Sequence, residues 1–142
     1  MRLAIILLVI CLFILYDTQE PREFVDVKER YRVLREHLHE TDNQKFHTIR
    51  RHIPITGIKK MNGTVGYNLN KGSEITVCLD GTPNEIFHVL IHELAHSTVD
   101  EYSHTPEFWD NYTELRDICV ELGIYEKIPE RTLFCGEHVQ DK

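Results

Sequence analysis

The chain lacks an excess of basic charge, and it contains no internal repeat or low-complexity tract. Of its 142 residues, 16 are lysine or arginine and 23 are aspartate or glutamate, which gives a net charge of −7. Proteins that bind nucleic acid by neutralising phosphates are basic, so we do not expect nucleic acid as a direct ligand. Hydrophobic residues make up 42% of the sequence, which favours one folded domain over a disordered chain.

Cysteine is also scarce. The chain has four cysteines, and beyond the first 20 residues only Cys78, Cys119 and Cys135 remain. An odd number does not make a disulfide framework. We therefore expect Cys78 to be a buried thiol at the end of a strand and Cys119 to lie in the core. Cys135 lies in a predicted loop and receives no role.

A hydrophobic run without charge occupies the N-terminus. Residues 3–16 read LAIILLVICLFILY. As a helix they would span about 21 Å, less than the roughly 30 Å of a bilayer core. No small-x-small cleavage site follows, which favours an uncleaved anchor over a cleaved signal peptide. The predicted organisation is a hydrophobic N-terminal anchor at residues 1–20 and one domain at residues 21–142.

The charges beside this run predict its orientation. Only Arg2 precedes the run, whereas five basic residues follow it within about 20 positions, which places the domain on the cytosolic side. Two glycosylation sequons, at Asn62 and Asn111, would be usable only in a secretory lumen and point the other way. We expect a membrane-associated protein with a single N-terminal pass and the domain on the cytosolic side.

Hydrophobic spacing predicts three helices in the domain. Apolar residues three and four apart predict an amphipathic helix over residues 23–39. A capping box formed by Thr82 and Glu85 opens a second helix at residues 83–99. That helix is apolar on most sides, so we expect it to be central and buried. A third helix opens at Thr105 and ends before Gly123.

Two β-like runs precede the second helix. Residues 64–69 and the β-branched run EITVCL at residues 74–79 predict a hairpin. The stretch at residues 45–58 is ambiguous. The tail at residues 124–142 is predicted to be loop with at most one short element.

The buried helix contains the sequence His92-Glu93-Leu94-Ala95-His96, an H-E-x-x-H motif. Residues four apart share one helix face, so both imidazoles can bind one metal ion. Glu93 stands beside that ion and can take a proton from a water that zinc acidifies. Three polar residues in an apolar helix are costly unless something binds there.

A catalytic zinc ion needs a third protein ligand. His104 follows His96 after seven intervening residues and directly precedes a helix cap, so we predict it as that ligand. The acidic alternatives are Asp100, Glu101, Glu107 and Asp110. The metzincin spacing is absent. His88 is also four residues from His92, but no base stands beside it, so His88 is predicted to pack or to support the site.

Residues 74–109 resemble the WLM metallopeptidases, which are relatives of the SprT-like and Spartan proteases. The strand EITVCL, the helix NEIFHVLIHELAHS and the trailing segment HTPEFW carry this resemblance. Small stand-alone versions in large DNA viruses of eukaryotes look similar. The resemblance implies a minimal zincin-like α+β fold, in which a short antiparallel sheet packs on the active-site helix. It also implies one catalytic zinc ion at His92, His96 and His104, with Glu93 as the base, and a protein substrate.

The function predicted from the sequence is a membrane-anchored zinc endopeptidase that uses Glu93 to direct a zinc-bound water at peptide bonds. Residues 74–79 are the candidate sheet edge for a protein or peptide substrate, and Tyr102 and Tyr112 are candidates for stabilising the oxyanion. The alternative is a non-catalytic zinc-binding structural or virion membrane protein. The presence of Glu93 argues against this alternative, because a base beside the metal suits an open catalytic site. A purely structural zinc site closes its fourth position with Cys or His.

Overall fold

The computed structural model describes residues 1–142 and has a mixed α+β architecture, the class that the sequence predicts. It contains five helices and five strands. In chain order these are α1 (Arg2–Asp17), α2 (Arg22–Glu40), α3 (His47–Arg50), β1 (Ile55–Ile58), β2 (Gly66–Leu69), β3 (Glu74–Cys78), α4 (Pro83–His96), α5 (Pro106–Glu121), β4 (Thr132–Phe134) and β5 (Glu137–Val139).

The main sheet has the order β1-β3-β2. The hairpin prediction is confirmed, since β2 and β3 pair antiparallel with Gly66 opposite Val77. The expectation of a wholly antiparallel sheet with residues 74–79 at its edge is wrong, because β1 pairs parallel with the other side of β3. Four consecutive residues of β3, from Ile75 to Cys78, are buried. Burial on both faces is typical of a central strand, so β1 and β2 form the two edges of the sheet.

Helix α4 lies in the core between the sheet, α2 and α5. Its predicted capping box is confirmed, because Thr82 Oγ1 accepts from Glu85 N at 3.3 Å and Glu85 Oε2 accepts from Thr82 N at 2.8 Å. The apolar stripe of α2 is buried, as its spacing predicts. Burying each large aliphatic side chain contributes about 1.5–3 kcal/mol, so α4 is held firmly in place.

Helix α1 contributes nothing to this core. None of its residues is buried, and most of the exposed large apolar side chains of the protein belong to it. No helix taken alone has both the length and the apolar character needed to cross a membrane. Together, α1 and α2 meet those two criteria as a pair bent by 45°.

The C-terminal tail is joined to the main sheet by a disulfide. Strands β4 and β5 form an antiparallel hairpin, and a disulfide joins Cys135 in its turn to Cys78 at the end of β3. The tail is thus mostly loop with one short element, as predicted, whereas the expectation of a free thiol at Cys78 is wrong. The three cysteines of the domain comprise one pair, separated by 57 residues, and one thiol, Cys119, which is buried in the core as expected.

Candidate metal centre

Three imidazoles converge over the C-terminal half of α4. His104 Nε2 lies 3.0 Å from His92 Nε2 and 3.1 Å from His96 Nε2. One ligand atom from each ring lies within 4.8 Å of the others, and no acidic residue joins this group. When the rings are neutral, hydrogen bonds cannot satisfy three nitrogens this close together, whereas one cation can. The donor set therefore fits a zinc ion with three histidine ligands and an open fourth position.

The loop between α4 and α5 brings His104 back over α4. Lys71 fixes this loop from the β2–β3 turn, because its Nζ donates to Val99 O at 2.7 Å and to Glu101 O at 2.6 Å. Thr105 then caps α5 with its side chain, as predicted. His104 is therefore anchored on both sides. The sequence revealed the cap but gave no sign of the Lys71 contacts.

The ring of Phe108 packs against all three imidazoles. Its centroid lies 5.0 Å from that of His92, 4.5 Å from that of His96 and 4.7 Å from that of His104. Phe108 is fully buried. The sequence indicated only a core position, but in the structure this ring limits how far the imidazoles can move.

The electrostatics of the site favour neutral imidazoles. Burial, together with the neighbouring rings of His96 and His104, lowers the pKa of His92 to about 3. Burial and the ring of His104 lower the pKa of His96 to about 4. Both rings are therefore neutral at pH 7, which is the form that binds metals. Burial raises the pKa of Glu93 to about 7, so its carboxyl group can exchange protons near neutral pH.

A cavity of about 540 Å³ opens above the imidazoles. Strand β2 and the residues before it form one wall, α4 forms the floor, and residues 138–140 of the C-terminal tail also line it. The sequence did not indicate the tail as part of the site.

Strand β2 is fastened directly to α4. Asn68 Nδ2 donates to Glu93 O at 2.7 Å and to Ser97 Oγ at 2.6 Å. A Cβ atom on Gly66 would lie 2.7 Å from Val89 Cγ1 and 3.5 Å from Glu93 Cγ. Glycine at this position lets the sheet edge approach the helix beside Glu93.

The remaining candidate residues lie in different surroundings. Tyr102 lines the cavity and is 75% exposed. Tyr112 is buried, and its hydroxyl donates to Asp141 Oδ1 at 2.6 Å, so it does not face the imidazoles as an oxyanion donor. His88 stays outside the imidazole cluster and contacts Tyr125, which agrees with its predicted supporting role.

No family model matches the chain. Two uncharacterized viral proteins are similar to it: protein 136R of Invertebrate iridescent virus 6 and protein R325 of Acanthamoeba polyphaga mimivirus. The first is 30% identical over 79 residues, covering 49% of this chain and 44% of the viral protein. The second is 31% identical over 80 residues, covering 49% and 41%. The chain thus spans less than half the length of these relatives.

Three solved structures are also similar to the chain. Wss1 from Saccharomyces cerevisiae has a TM-score of 0.44 and 20% identity, over 49% of this chain and 59% of that one. A mutant of Wss1 from S. pombe has a TM-score of 0.40 and 26% identity, over 54% and 74%. The metallopeptidase zymogen of Pyrococcus abyssi abylysin has a TM-score of 0.43 and 23% identity, over 66% and 95%. Part of the chain is thus similar to Wss1 and to a metallopeptidase zymogen.

Proposed function

We propose that this protein is a zinc-dependent endopeptidase with a minimal zincin-like domain, in which His92, His96 and His104 hold the metal and Glu93 is the base. One observation carries the proposal: three imidazole nitrogens converge beside a buried carboxyl group whose pKa is raised to about 7.

The alternative, a purely structural zinc site, would need a fourth Cys or His ligand. Cys78 is committed to the disulfide and Cys119 to the core, and no other histidine joins the three rings. The open side of the cluster faces the cavity instead. This arrangement favours a site that receives a substrate.

Glu93 performs the proton transfers of the proposed reaction. A zinc ion at the three imidazoles would supply Lewis acidity for the scissile carbonyl. Glu93 removes a proton from the attacking water, whose oxygen bonds to the carbonyl carbon. When the carbon–nitrogen bond breaks, the same carboxyl group returns that proton to the leaving amine. A pKa of about 7 suits a group that must both accept and release a proton near neutral pH.

The edge of β2 is the proposed binding surface for the substrate. Strand β2 pairs only with β3, and residues 66–68 line the cavity. An extended peptide can add to such an edge through main-chain hydrogen bonds, which bind many sequences with little side-chain selection. The proposed substrate is therefore an unfolded or extended polypeptide segment.

The proposal also places residues 1–20 at a membrane, through α1. No charge interrupts residues 3–16, and the helix has no buried residue, so its apolar surface is left without a protein partner. The charge count still favours the cytosolic side for the domain, whereas the disulfide favours an oxidising compartment. Substituting Leu8 and Leu12 by lysine should abolish flotation of the full chain with liposomes, while lysines at Thr18 and Gln19 should not.

The proposed activity is tested with the full chain, zinc and casein. Glu93→Gln should keep about one zinc per chain and lose at least about 100-fold in cleavage rate, the low end for removing a positioned general base. Glu101→Gln, which changes an exposed carboxylate near the site, should cleave normally. A wild-type protein that binds zinc but cleaves no protein would favour the structural alternative.

A further inference from the structure

A further histidine, His88, lines the cavity beside the three imidazoles. His88 lies one helical turn before His92 on α4, and its side chain lines the same cavity although the residue is only 7% exposed. Its Nδ1 lies 2.9 Å from Tyr125 Oη and 3.3 Å from Tyr112 Oη. The metal centre leaves this histidine unused, so its surroundings point to a separate role.

Asp141 fixes which nitrogen of His88 carries the proton. The Tyr112 hydroxyl donates to Asp141 Oδ1 at 2.6 Å, and the Tyr125 hydroxyl donates to Asp141 Oδ2 at 2.5 Å. A phenol has a single hydrogen to donate, so both hydroxyls are fully used and their oxygens can only accept from His88. When the ring carries a single proton, that proton is therefore on Nδ1 and Nε2 carries a lone pair.

Asp141 is ionised in this arrangement. Burial opposes the charge, but hydrogen bonds from His88, Tyr112, Tyr125 and the backbone N–H of Ile128 together hold the pKa of Asp141 below its usual range. An ionised carboxylate keeps accepting from both tyrosines and cannot donate to either of them. The tautomer of His88 is thus set by a buried group at the C-terminal end of the chain.

The Nε2 atom of His88 is accessible and has no partner in the protein. It makes no hydrogen bond within the protein, and it is not one of the two buried polar side-chain atoms left without a partner, which are Arg35 Nε and Thr48 Oγ1. Because His88 is one of the residues that line the cavity, this accessible acceptor is available to a substrate there.

We propose that His88 is a substrate-contacting residue of the peptidase site, whose Nε2 accepts a hydrogen bond from a main-chain N–H of the bound peptide. Asp141, Tyr112 and Tyr125 act as positioning residues that hold the ring in the accepting tautomer. This inference rests on the proposed endopeptidase function and extends it, because it provides an acceptor on the floor of the cavity in addition to the β2 edge.

The test measures peptide binding in the absence of turnover. Zinc-loaded, full-length Glu93→Gln protein is titrated with a fluorescent peptide taken from a casein segment that the wild type cleaves. Adding His88→Phe should weaken binding about 3- to 10-fold, the usual worth of one neutral hydrogen bond. Adding His88→Gln, which keeps an acceptor near the position of Nε2, should weaken binding less. Zinc content should be unchanged in both.

Methylation of the peptide backbone separates a contact from a structural effect. N-methylating each amide in turn should reveal one position whose methylation weakens binding to the Glu93→Gln protein but not to its His88→Phe derivative. Adding Asp141→Asn should likewise make binding insensitive to methylation at that position. Adding Asp110→Asn, an exposed control on α5, should leave the effect of methylation in place. This second route keeps the test decisive if His88→Phe fails to fold.

The outcomes distinguish the two proposals. The role of His88 would be overturned if the Glu93→Gln protein and its His88→Phe derivative bound the peptide with equal affinity. It would also be overturned if N-methylation of each amide weakened binding to both proteins equally. Either result would leave the endopeptidase proposal standing. A wild type that cleaves no casein and a Glu93→Gln protein that binds no casein peptide would overturn the proposed function, and this inference with it.

Discussion

At the residue scale, the histidines and Glu93 respond to pH with opposite signs. A histidine in an unfolded chain titrates near pH 6.5, whereas the pKa of His92 is about 3 in the fold. Between these values the unfolded chain binds more protons, so acid destabilises the metal-free protein as pH falls through this window. The pKa of Glu93 is raised from 4.5 to about 7, so the folded protein binds more protons than the unfolded chain in that range. The contribution of Glu93 to the free energy of unfolding therefore falls as pH rises through it.

Removing the Glu93 charge should therefore stabilise the metal-free protein. At pH 8 Glu93→Gln should raise the free energy of unfolding by on the order of 2 kcal/mol, because no buried carboxylate has to be ionised. The gain should shrink as pH falls below 7 and vanish by about pH 4.5. Urea unfolding at several pH values measures this difference. Equal stability of wild type and variant at pH 8 would show that burial of Glu93 is not costly.

Gly66 gives a second prediction at the residue scale, on the close approach of β2 to α4. Gly66→Ala would place a Cβ 2.7 Å from Val89 Cγ1 and 2.9 Å from Thr76 O, so β2 must move away from α4 beside Glu93. We expect cleavage to fall at least about tenfold, since small displacements at an active site are costly. In Gly57→Ala the added atom meets only the flexible side chain of Leu79, so cleavage should change little. Similar activity of the two variants would contradict the proposed role of the β2 edge.

The residues of the candidate metal centre could be predicted to the extent that their spacing is local. His92 and His96 share a helix face because they are four residues apart, and His104 stands next to a recognisable cap. Asp141 and His88 are 53 positions apart in the sequence, and only the folded C-terminal tail brings them together. The pattern of charges and apolar residues carries no signal for such a pair.

At the scale of elements, the site depends on how β2, α4 and the following loop are joined. The local signals predicted α4 and the β2–β3 hairpin well, because capping and alternation act over a few residues. They did not predict the parallel pairing of β1 with β3, since nothing near residues 55–58 reports a partner about 20 positions later. The central position of β3 follows from that long-range pairing, which leaves β2 as the edge strand beside the cavity.

The loop that carries His104 gives a prediction at this scale. Lys71→Met keeps an unbranched side chain but removes the donors to Val99 O and Glu101 O. The loop should become more mobile, so zinc affinity should fall about tenfold or more, in the range seen when groups that orient metal ligands are removed. Competition with a zinc chelator measures the change. Lys59→Met, at an exposed position without a bonded partner, is the control, and equal zinc affinities would contradict the role of Lys71.

At the scale of the whole molecule, the disulfide joins the C-terminal hairpin to the central strand. This hairpin supplies a wall of the cavity, and Asp141 follows its last strand after one intervening residue. The odd number of cysteines in the domain did not predict this disulfide, because the unpaired cysteine, Cys119, is a core residue. Pairing across 57 residues is a property of the folded chain, and sequence spacing does not reveal it.

Removing the disulfide should destabilise the whole domain. A closed loop of 57 residues is worth about 4 kcal/mol in the chain-entropy account, and measured losses are commonly about 2–5 kcal/mol. Replacing Cys78 and Cys135 by alanine should lower the free energy of unfolding by that amount, as measured by urea denaturation. Cys11→Ala, at an exposed position on α1, should have no effect. An unchanged stability, or free thiols at Cys78 and Cys135 in the purified protein, would contradict the link.

The central claim is that three histidines hold one catalytic zinc ion with an open position. X-ray absorption at the zinc edge, on full-length protein loaded with one equivalent of zinc, tests this most directly. Three imidazole nitrogens at about 2.0–2.1 Å, a further light oxygen or nitrogen ligand and no sulfur are expected, with one imidazole lost in His104→Ala. Four protein ligands, any zinc–sulfur distance near 2.3 Å, or a spectrum unchanged in His104→Ala would contradict the account.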